Sequence, residues 1–119
     1  MSAGISIHIV DVASGCVAQG LEVRLVRLEG GLRELICHGR IASNGLLAEL
    51  DGQAARCSAG VYEVSLQVAD FYRAQGTALP VLPFLDELVY RFGVADPGQH
   101  YHLPFKLTAW GVSCFRGGA

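Results

Sequence analysis

An all-β sandwich is the fold class that this sequence predicts, and three observations predict it. Short segments alternate apolar and polar residues with a period of two, which puts successive side chains on opposite faces of a strand. The 15 glycines are spread out and punctuate those segments as turns. A single stretch reads as helix.

Residues 5–11 form the first predicted strand, with Ile5, Ile7 and Ile9 on one face and Ser6, His8 and Val10 on the other. Residues 12–20 are a turn rich in Gly and Ala. Residues 21–28 alternate again, with Leu21, Val23 and Leu25 set against Glu22 and Arg24. Gly30-Gly31 breaks the pattern, and residues 32–41 return as a strand. Ser43-Asn44-Gly45 is a turn, because Asn and Gly tolerate positive φ. Residues 51–60 are a loop. Residues 61–69 are a strand, with Val61, Glu63, Ser65 and Gln67 opposite Tyr62, Val64, Leu66 and Val68. Residues 70–75 are the predicted helix, N-capped by Asp70 and ended by Gly76. A Pro-flanked connection over 77–83 leads to a strand over 88–94 and a turn at Ala95-Asp96-Pro97-Gly98. Strands over 100–108 and 112–116, joined by Ala109-Trp110-Gly111, complete the pattern. Seven or eight short strands and one helix over residues 1–119 fit a single domain, and two sheets packed face to face bury them.

Composition narrows the function classes. Hydrophobic residues make up 51% of the chain and charged residues 17%, against about a quarter charged in average soluble domains. That excludes intrinsic disorder and predicts an apolar surface buried against other subunits. With Lys+Arg 9, Asp+Glu 11 and a net charge of −2, the chain lacks the basic balance of a nucleic-acid binder. The opening Met1-Ser2-Ala3-Gly4-Ile5 has no basic n-region and no long apolar h-region. No apolar run approaches the roughly 18 residues of a membrane span. A cytoplasmic protein without membrane attachment is therefore expected. Cys16, Cys37, Cys57 and Cys114 are scattered and form no CxxC pair. They read as reduced thiols, several of them buried, rather than as zinc ligands or disulfides.

The strand over 100–108 is the most informative for chemistry. Its odd positions, Tyr101, Leu103, Phe105 and Leu107, face the core, and its even positions, His100, His102, Pro104 and Lys106, face away. Pro104 cannot donate to a ladder, so a bulge or irregularity is expected there. His8 likewise lies opposite the isoleucines of the first strand. Three uses remain open for these imidazoles on the pattern alone. They could be exposed side chains on a solvated sheet face. They could be a metal pair, for which no third ligand has suggestive spacing. They could be general acid–base groups, since imidazole titrates near neutrality.

Particular motifs go further. The opening His8-Ile9-Val10-Asp11, the segment His100-Tyr101-His102-Leu103-Pro104 after Ala95-Asp96-Pro97, and the ending Ser113-Cys114-Phe115-Arg116-Gly117-Gly118 resemble the 5-hydroxyisourate hydrolase family, the transthyretin-related enzymes of urate breakdown. The corresponding family motifs are His-Val-Leu-Asp, His-Tyr-His-Val-Pro and Tyr-Arg-Gly-Ser, and the resemblance covers nearly the whole chain. It implies a transthyretin-like β-sandwich of two four-stranded sheets with one short helix. It implies a homotetramer with sites in grooves at the dimer–dimer interface, and chemistry without metal or organic cofactor. Carried over by position, His8 and His102 are the expected catalytic residues. His100 matches the first histidine of its motif and is expected at the site in a less direct role. Arg116 and Gly117 match the middle of the C-terminal motif, and backbone N–H groups near Gly117-Gly118 are the expected oxyanion donors.

Three positions depart from the family pattern. The family places an arginine directly after an Asn-x-Asp-Gly turn, where this chain has Leu46 after Ala42-Ser43-Asn44-Gly45. Phe115 replaces the motif tyrosine, and Gly118 replaces the final serine, with Ala119 added. Each change removes hydrogen-bond donors, and the first also removes a positive charge that recognises planar oxygens and ring nitrogens. Leu46, Phe115, Arg116, Gly117, Gly118 and His100 are thus the expected substrate-binding residues. Leaving a polar group unpaired against a methyl costs roughly 1–3 kcal/mol, and burying a methyl contributes roughly 0.8 kcal/mol. Together these shift preference by about one to three decades per site. The pattern therefore points to hydrolytic opening of an N-methylated 5-hydroxyisourate, such as the trimethyl compound from C-8 oxidation of caffeine-type methylxanthines. Random decay would strike His8 or His102 as readily as Leu46. The alternatives are an ordinary 5-hydroxyisourate hydrolase and a transthyretin-like binder of small molecules without catalysis.

Overall fold

The computed structural model describes residues 3–118; Met1 and Ser2 of the opening segment and the additional Ala119 lie outside the described residues. In chain order the elements are β1 (Gly4–Asp11), β2 (Cys16–Val17), β3 (Glu22–Glu29), β4 (Leu32–Arg40), β5 (Gly60–Gln67), α1 (Val68–Ala74), β6 (Glu87–Val94), β7 (His100–Thr108) and β8 (Gly111–Cys114). Short 3-10 turns at Ala48–Leu50 and Ala54–Arg56 lie between β4 and β5. The strands form two four-stranded sheets, ordered β2-β1-β7-β8 and β4-β3-β5-β6. This is the sandwich that the alternation predicts.

The alternation is also the burial pattern. Ile5, Ile7 and Ile9 of β1 and Leu103, Phe105 and Leu107 of β7 pack in one core with residues of the opposite sheet such as Val23, Leu25, Tyr62 and Val64. Burying each large side chain contributes about 1.5–3 kcal/mol. A slip of one residue in β1 would turn the isoleucines out and His8 in, so burial fixes the register. β1 and β7 pair in parallel, with Ser6 opposite His102 and His8 opposite Pro104. On the outer face of the other sheet Glu63 is buried because Arg33 and Arg91 both bond its carboxylate. All four cysteines are free thiols, with Cys37 and Cys57 buried. No helix among the described residues is long and apolar enough to cross a membrane.

Local differences from the sequence reading have physical causes. The turn over 12–20 contains the short strand β2, which pairs Val10 with Val17. The helix starts at Val68, so Asp70 sits in its first turn and not at the N-cap. Its first N–H groups, on Val68 and Ala69, are satisfied by the Asp86 carbonyl at 3.0 and 3.3 Å. A backbone oxygen from a distant loop thus does the work of a capping side chain. The C-terminus is as expected: Gly76 has φ +86°, and Gly76 N–H and Thr77 N–H reach back to Arg73 O and Tyr72 O. At Ser43-Asn44-Gly45 only the glycine adopts positive φ.

Pro104 produces no bulge in β7, whose register against β1 is continuous. His102 directs its N–H and C=O toward Gly117, so Pro104, two residues on, also faces its missing N–H away from β1. The ladder interrupted is the one to β8. That strand stops at Cys114, short of the predicted 116, and pairing resumes only at the His102–Gly117 bridge.

Asp11 ties the end of β1 to the helix. Its buried carboxylate accepts from Tyr72 Oη at 2.7 Å and from the N–H groups of Ala13 and Ser14 at 3.3 Å. Burial pushes this carboxyl up, but the Tyr72 bond, the Ser14 contacts and the Ala13 N–H together hold it below its ordinary value. The depressed carboxylate stabilises the fold above its unfolded-state pKa, and that contribution is lost as pH falls through the folded-state pKa. Tyr72→Phe should cost about 1.5–3 kcal/mol near pH 7, a hydrogen bond to a charged group. Urea denaturation measures it, and the gap from the parent should close in acid. An unchanged midpoint at neutral pH would show that the tie contributes nothing.

Candidate active site

The β1–β7 register assembles the outer face. Partners in a parallel pair project to the same side, so Ser6 and His8 stand beside His102 and Pro104, with His100 next along β7. The three imidazoles come from both ends of the sequence, yet they lie on one sheet. Each is half-buried.

The edge of β1 next to His8 is covered by the segment after the 42–45 turn. Ile9 N–H donates to Gly45 O at 3.0 Å, and Leu47 N–H donates to Ile7 O at 3.1 Å. These bonds bracket His8 and Leu46 as a non-hydrogen-bonded antiparallel pair, the kind whose side chains approach most closely. Leu46 therefore shares the face of His8 and stands directly beside it. The turn is closed by Gly45 N–H on Ala42 O and by Leu46 N–H on Asn44 Oδ1 at 3.0 Å. His8 Nε2 donates to Asn44 O at 3.2 Å. Gly45 has φ +85°, and a Cβ there would run into the His8 ring.

The C-terminal tail covers the other side. His102 and Gly117 exchange both backbone hydrogen bonds, His102 N–H to Gly117 O at 3.0 Å and Gly117 N–H to His102 O at 2.7 Å. Gly118 has φ +71°, and a Cβ there would lie 2.9 Å from His102 Cβ and 3.2 Å from His100 Cδ2. The tail backbone thus lies directly on the two histidines, where any side chain at 118 would push it off. The Phe115 ring reaches back to Gly117, its Cε2 3.7 Å from a Cβ built there, and 57% of the residue is exposed. Gly117 N–H, one of the two expected oxyanion donors, is already bonded to His102 O. Arg116 is not brought into the site: its guanidinium stacks on the Tyr101 ring and donates to Gln99 Oε1 and His100 O.

The histidines are linked by a residue that sequence reasoning missed. Ser6 Oγ lies 2.8 Å from His100 Nε2 and 2.6 Å from His102 Nδ1. Alternation put Ser6 on the face of His8, but only the pairing of first and seventh strands reveals its neighbours. Burial first, and then repulsion from protons on His8 and His100, holds the His102 imidazole below its ordinary pKa. No carboxylate is among the groups that act on it, and the shift favours the neutral ring. A recess of about 270 Å³ adjoins His100 and Ser6, walled by apolar side chains including Leu46, Leu47 and Leu50. Among the described residues no group of three or more His, Cys, Asp or Glu is placed to hold a metal ion.

Comparison with known proteins identifies the family. The family model described as "Transthyretin: HIUase/Transthyretin family" matches residues 5–117. A 5-hydroxyisourate hydrolase of Ralstonia nicotianae is 39% identical over 112 residues, 92% of this chain and 94% of that protein. The structure of Klebsiella pneumoniae 5-hydroxyisourate hydrolase superposes with a TM-score of 0.76 at 28% identity, covering 98% of this chain and 99% of that one. Sea bream transthyretin in complex with thyroxine superposes with a TM-score of 0.85, covering 98% and 96% of the two chains; at 20% identity it shows the shared fold alone.

Gly45 is the most exacting backbone position of the site. Gly45→Ala should destabilise the protein by about 1 kcal/mol through its left-handed φ, and should displace the His8 ring. Thermal unfolding reads the first effect and the His8 ring resonances in NMR spectra read the second. Unmoved resonances would contradict the contact.

Proposed function

The chain belongs to the HIUase/transthyretin family and is an enzyme that hydrolyses a cyclic amide; from that premise we propose that it opens the lactam ring of an N-methylated 5-hydroxyisourate, such as the trimethyl compound. The observation that carries this reading is the pairing of Leu46 with His8. It sets an isobutyl group beside an imidazole where the family has a guanidinium. An apolar wall there favours a ring nitrogen capped by a methyl over one bearing N–H, which would be left without a partner.

The proposed chemistry uses the residues of this face. His102 takes a proton from water as its oxygen adds to the C6 carbonyl beside N1. The C6–N1 bond then breaks, and the imidazolium returns the proton to the leaving nitrogen. His8, held by Asn44 O, orients the water or the ring from the neighbouring strand. Gly118 N–H is the proposed donor to the oxyanion. Phe115, Leu46 and His100 shape the pocket, and Arg116 braces the tail that carries Gly117 and Gly118. No metal or organic cofactor takes part. Part of the same proposal is a homotetramer, whose dimer–dimer contact would cover this open face. The exposed Phe115 and Leu46 support that arrangement. Free thiols suit a reducing compartment, and the cytoplasm is the one we propose.

The decisive assay generates 5-hydroxyisourate and its trimethyl analogue in situ from urate and trimethylurate, and follows their decay by ultraviolet absorbance. Acceleration should be greater for the methylated compound. Greater acceleration of the unmethylated one would return the protein to urate breakdown, and no acceleration of either would leave a binding protein. Leu46→Arg should move preference toward the unmethylated substrate by about one to three decades. Replacing His102 with Asn or His8 with Ala should lower turnover by on the order of 10²–10⁴; near-native turnover in both would end the mechanism.

The pH profile gives an independent check. His102 works as a base only when neutral, and its pKa is depressed. Activity should therefore persist below neutrality and fall in acid, with a kcat/KM midpoint under the ordinary imidazole value of about 6.5. A midpoint above that value would assign the base elsewhere.

A further inference from the structure

We infer that Ser6 is a positioning residue that sets the tautomer of His102, through a hydrogen-bond chain running from the Ala3 carbonyl through His100. This deepens the reading of His102 as the base and rests on it. The argument uses only the donor and acceptor capacity of each group. His100 Nδ1 lies 3.4 Å from Ala3 O. A carbonyl only accepts, so Nδ1 carries the hydrogen. In a neutral imidazole the other nitrogen, Nε2, then holds a lone pair. Ser6 Oγ is 2.8 Å from that nitrogen and must donate its single hydrogen to it. Having spent that hydrogen, Ser6 Oγ can only accept from His102 Nδ1 at 2.6 Å. His102 is therefore an Nδ1–H tautomer, and its free Nε2 carries the lone pair that catalysis needs.

Without the serine nothing else on the sheet imposes this choice. The groups facing His102 are His8 from β1, His100 from β7 and the backbone of Gly117 and Gly118 from the tail. The Arg116 guanidinium is turned away onto Tyr101 and Gln99.

Nitrogen-15 NMR of the free, full-length protein at about pH 8, with the imidazoles neutral, tests the inference without substrate. The expected result is a His102 with protonated Nδ1 and bare Nε2. Ser6→Ala should shift the ring toward the Nε2–H form and lower kcat about tenfold, the worth of one hydrogen bond, with KM little changed. Ser6→Thr, which keeps the hydroxyl, should restore both the tautomer and the rate. A His102 with Nε2–H in the parent protein overturns the inference, and so does an unchanged tautomer in Ser6→Ala. If Ser6→Ala does not fold, the parent spectrum alone decides. The tautomer is read independently of turnover, so a correct tautomer in a protein that hydrolyses nothing would sustain this inference and sink the proposed reaction.

Discussion

The parallel pairing of β1 with β7 is the constraint on which the site depends. Three buried isoleucines on β1 and the apolar odd positions of β7 hold the two strands in one register against the opposite sheet. With that register fixed on the inside, the outside is fixed as well. Ser6 must face His102, and His8 must stand one step further along. The hydrophobic core thus does for the imidazoles what no polar contact between them could do alone. Each large side chain turned out to water costs about 1.5–3 kcal/mol, against about 0.5–1.5 kcal/mol for a neutral hydrogen bond such as those among the imidazoles and Ser6.

Around that register, backbone rather than charge builds the walls. One wall is the segment that bonds the edge of β1 through Gly45 and Leu47, and the other is the tail that bonds His102 through Gly117. Gly45 and Gly118 let these segments come closer than any L-residue would permit. The result is a cluster of three imidazoles with no carboxylate among the groups that shift His102. An imidazole in such company gives up its proton readily, the opposite of the His–Asp arrangement in which an acid raises the ring's basicity. Leucine beside His8 sets an apolar group where the family has a positive charge.

Much of this was legible in the sequence. Period-two alternation gave the strands, the core and the outward direction of His8, His100 and His102. The motifs of those strands pointed to the family. What stayed hidden depended on contacts between distant residues. Which strands pair is not written in either strand, so Ser6 was placed on the correct face but given no role. Alternation ran on through Val68, whose burial suits a strand as well as a helix, and the true cap is a carbonyl at Asp86. Pro104 was read as a defect because the direction of its missing N–H depends on strand order. The motif assigns Arg116 to the site, but its guanidinium stacks on Tyr101 and bonds Gln99 and the His100 carbonyl, contacts that depend on how the tail folds back.

The order of the strands also bears on how the protein is made. The sheet β4-β3-β5-β6 is antiparallel throughout and draws on residues 22 to 94, so its hairpins can close as they leave the ribosome. The isoleucine face of β1 has no such opportunity. Its partner β7 begins at His100, so one edge of an early apolar strand waits for its partner through most of translation. Closing so long a loop is slow, and the waiting edge is open to other chains. Docking of β1 is also the event that brings Ser6 and His8 to the later histidines. Maturation of the fold and assembly of the reactive face are therefore one step, and a chain halted before its last strands carries the first half of the machinery with nothing to join it to.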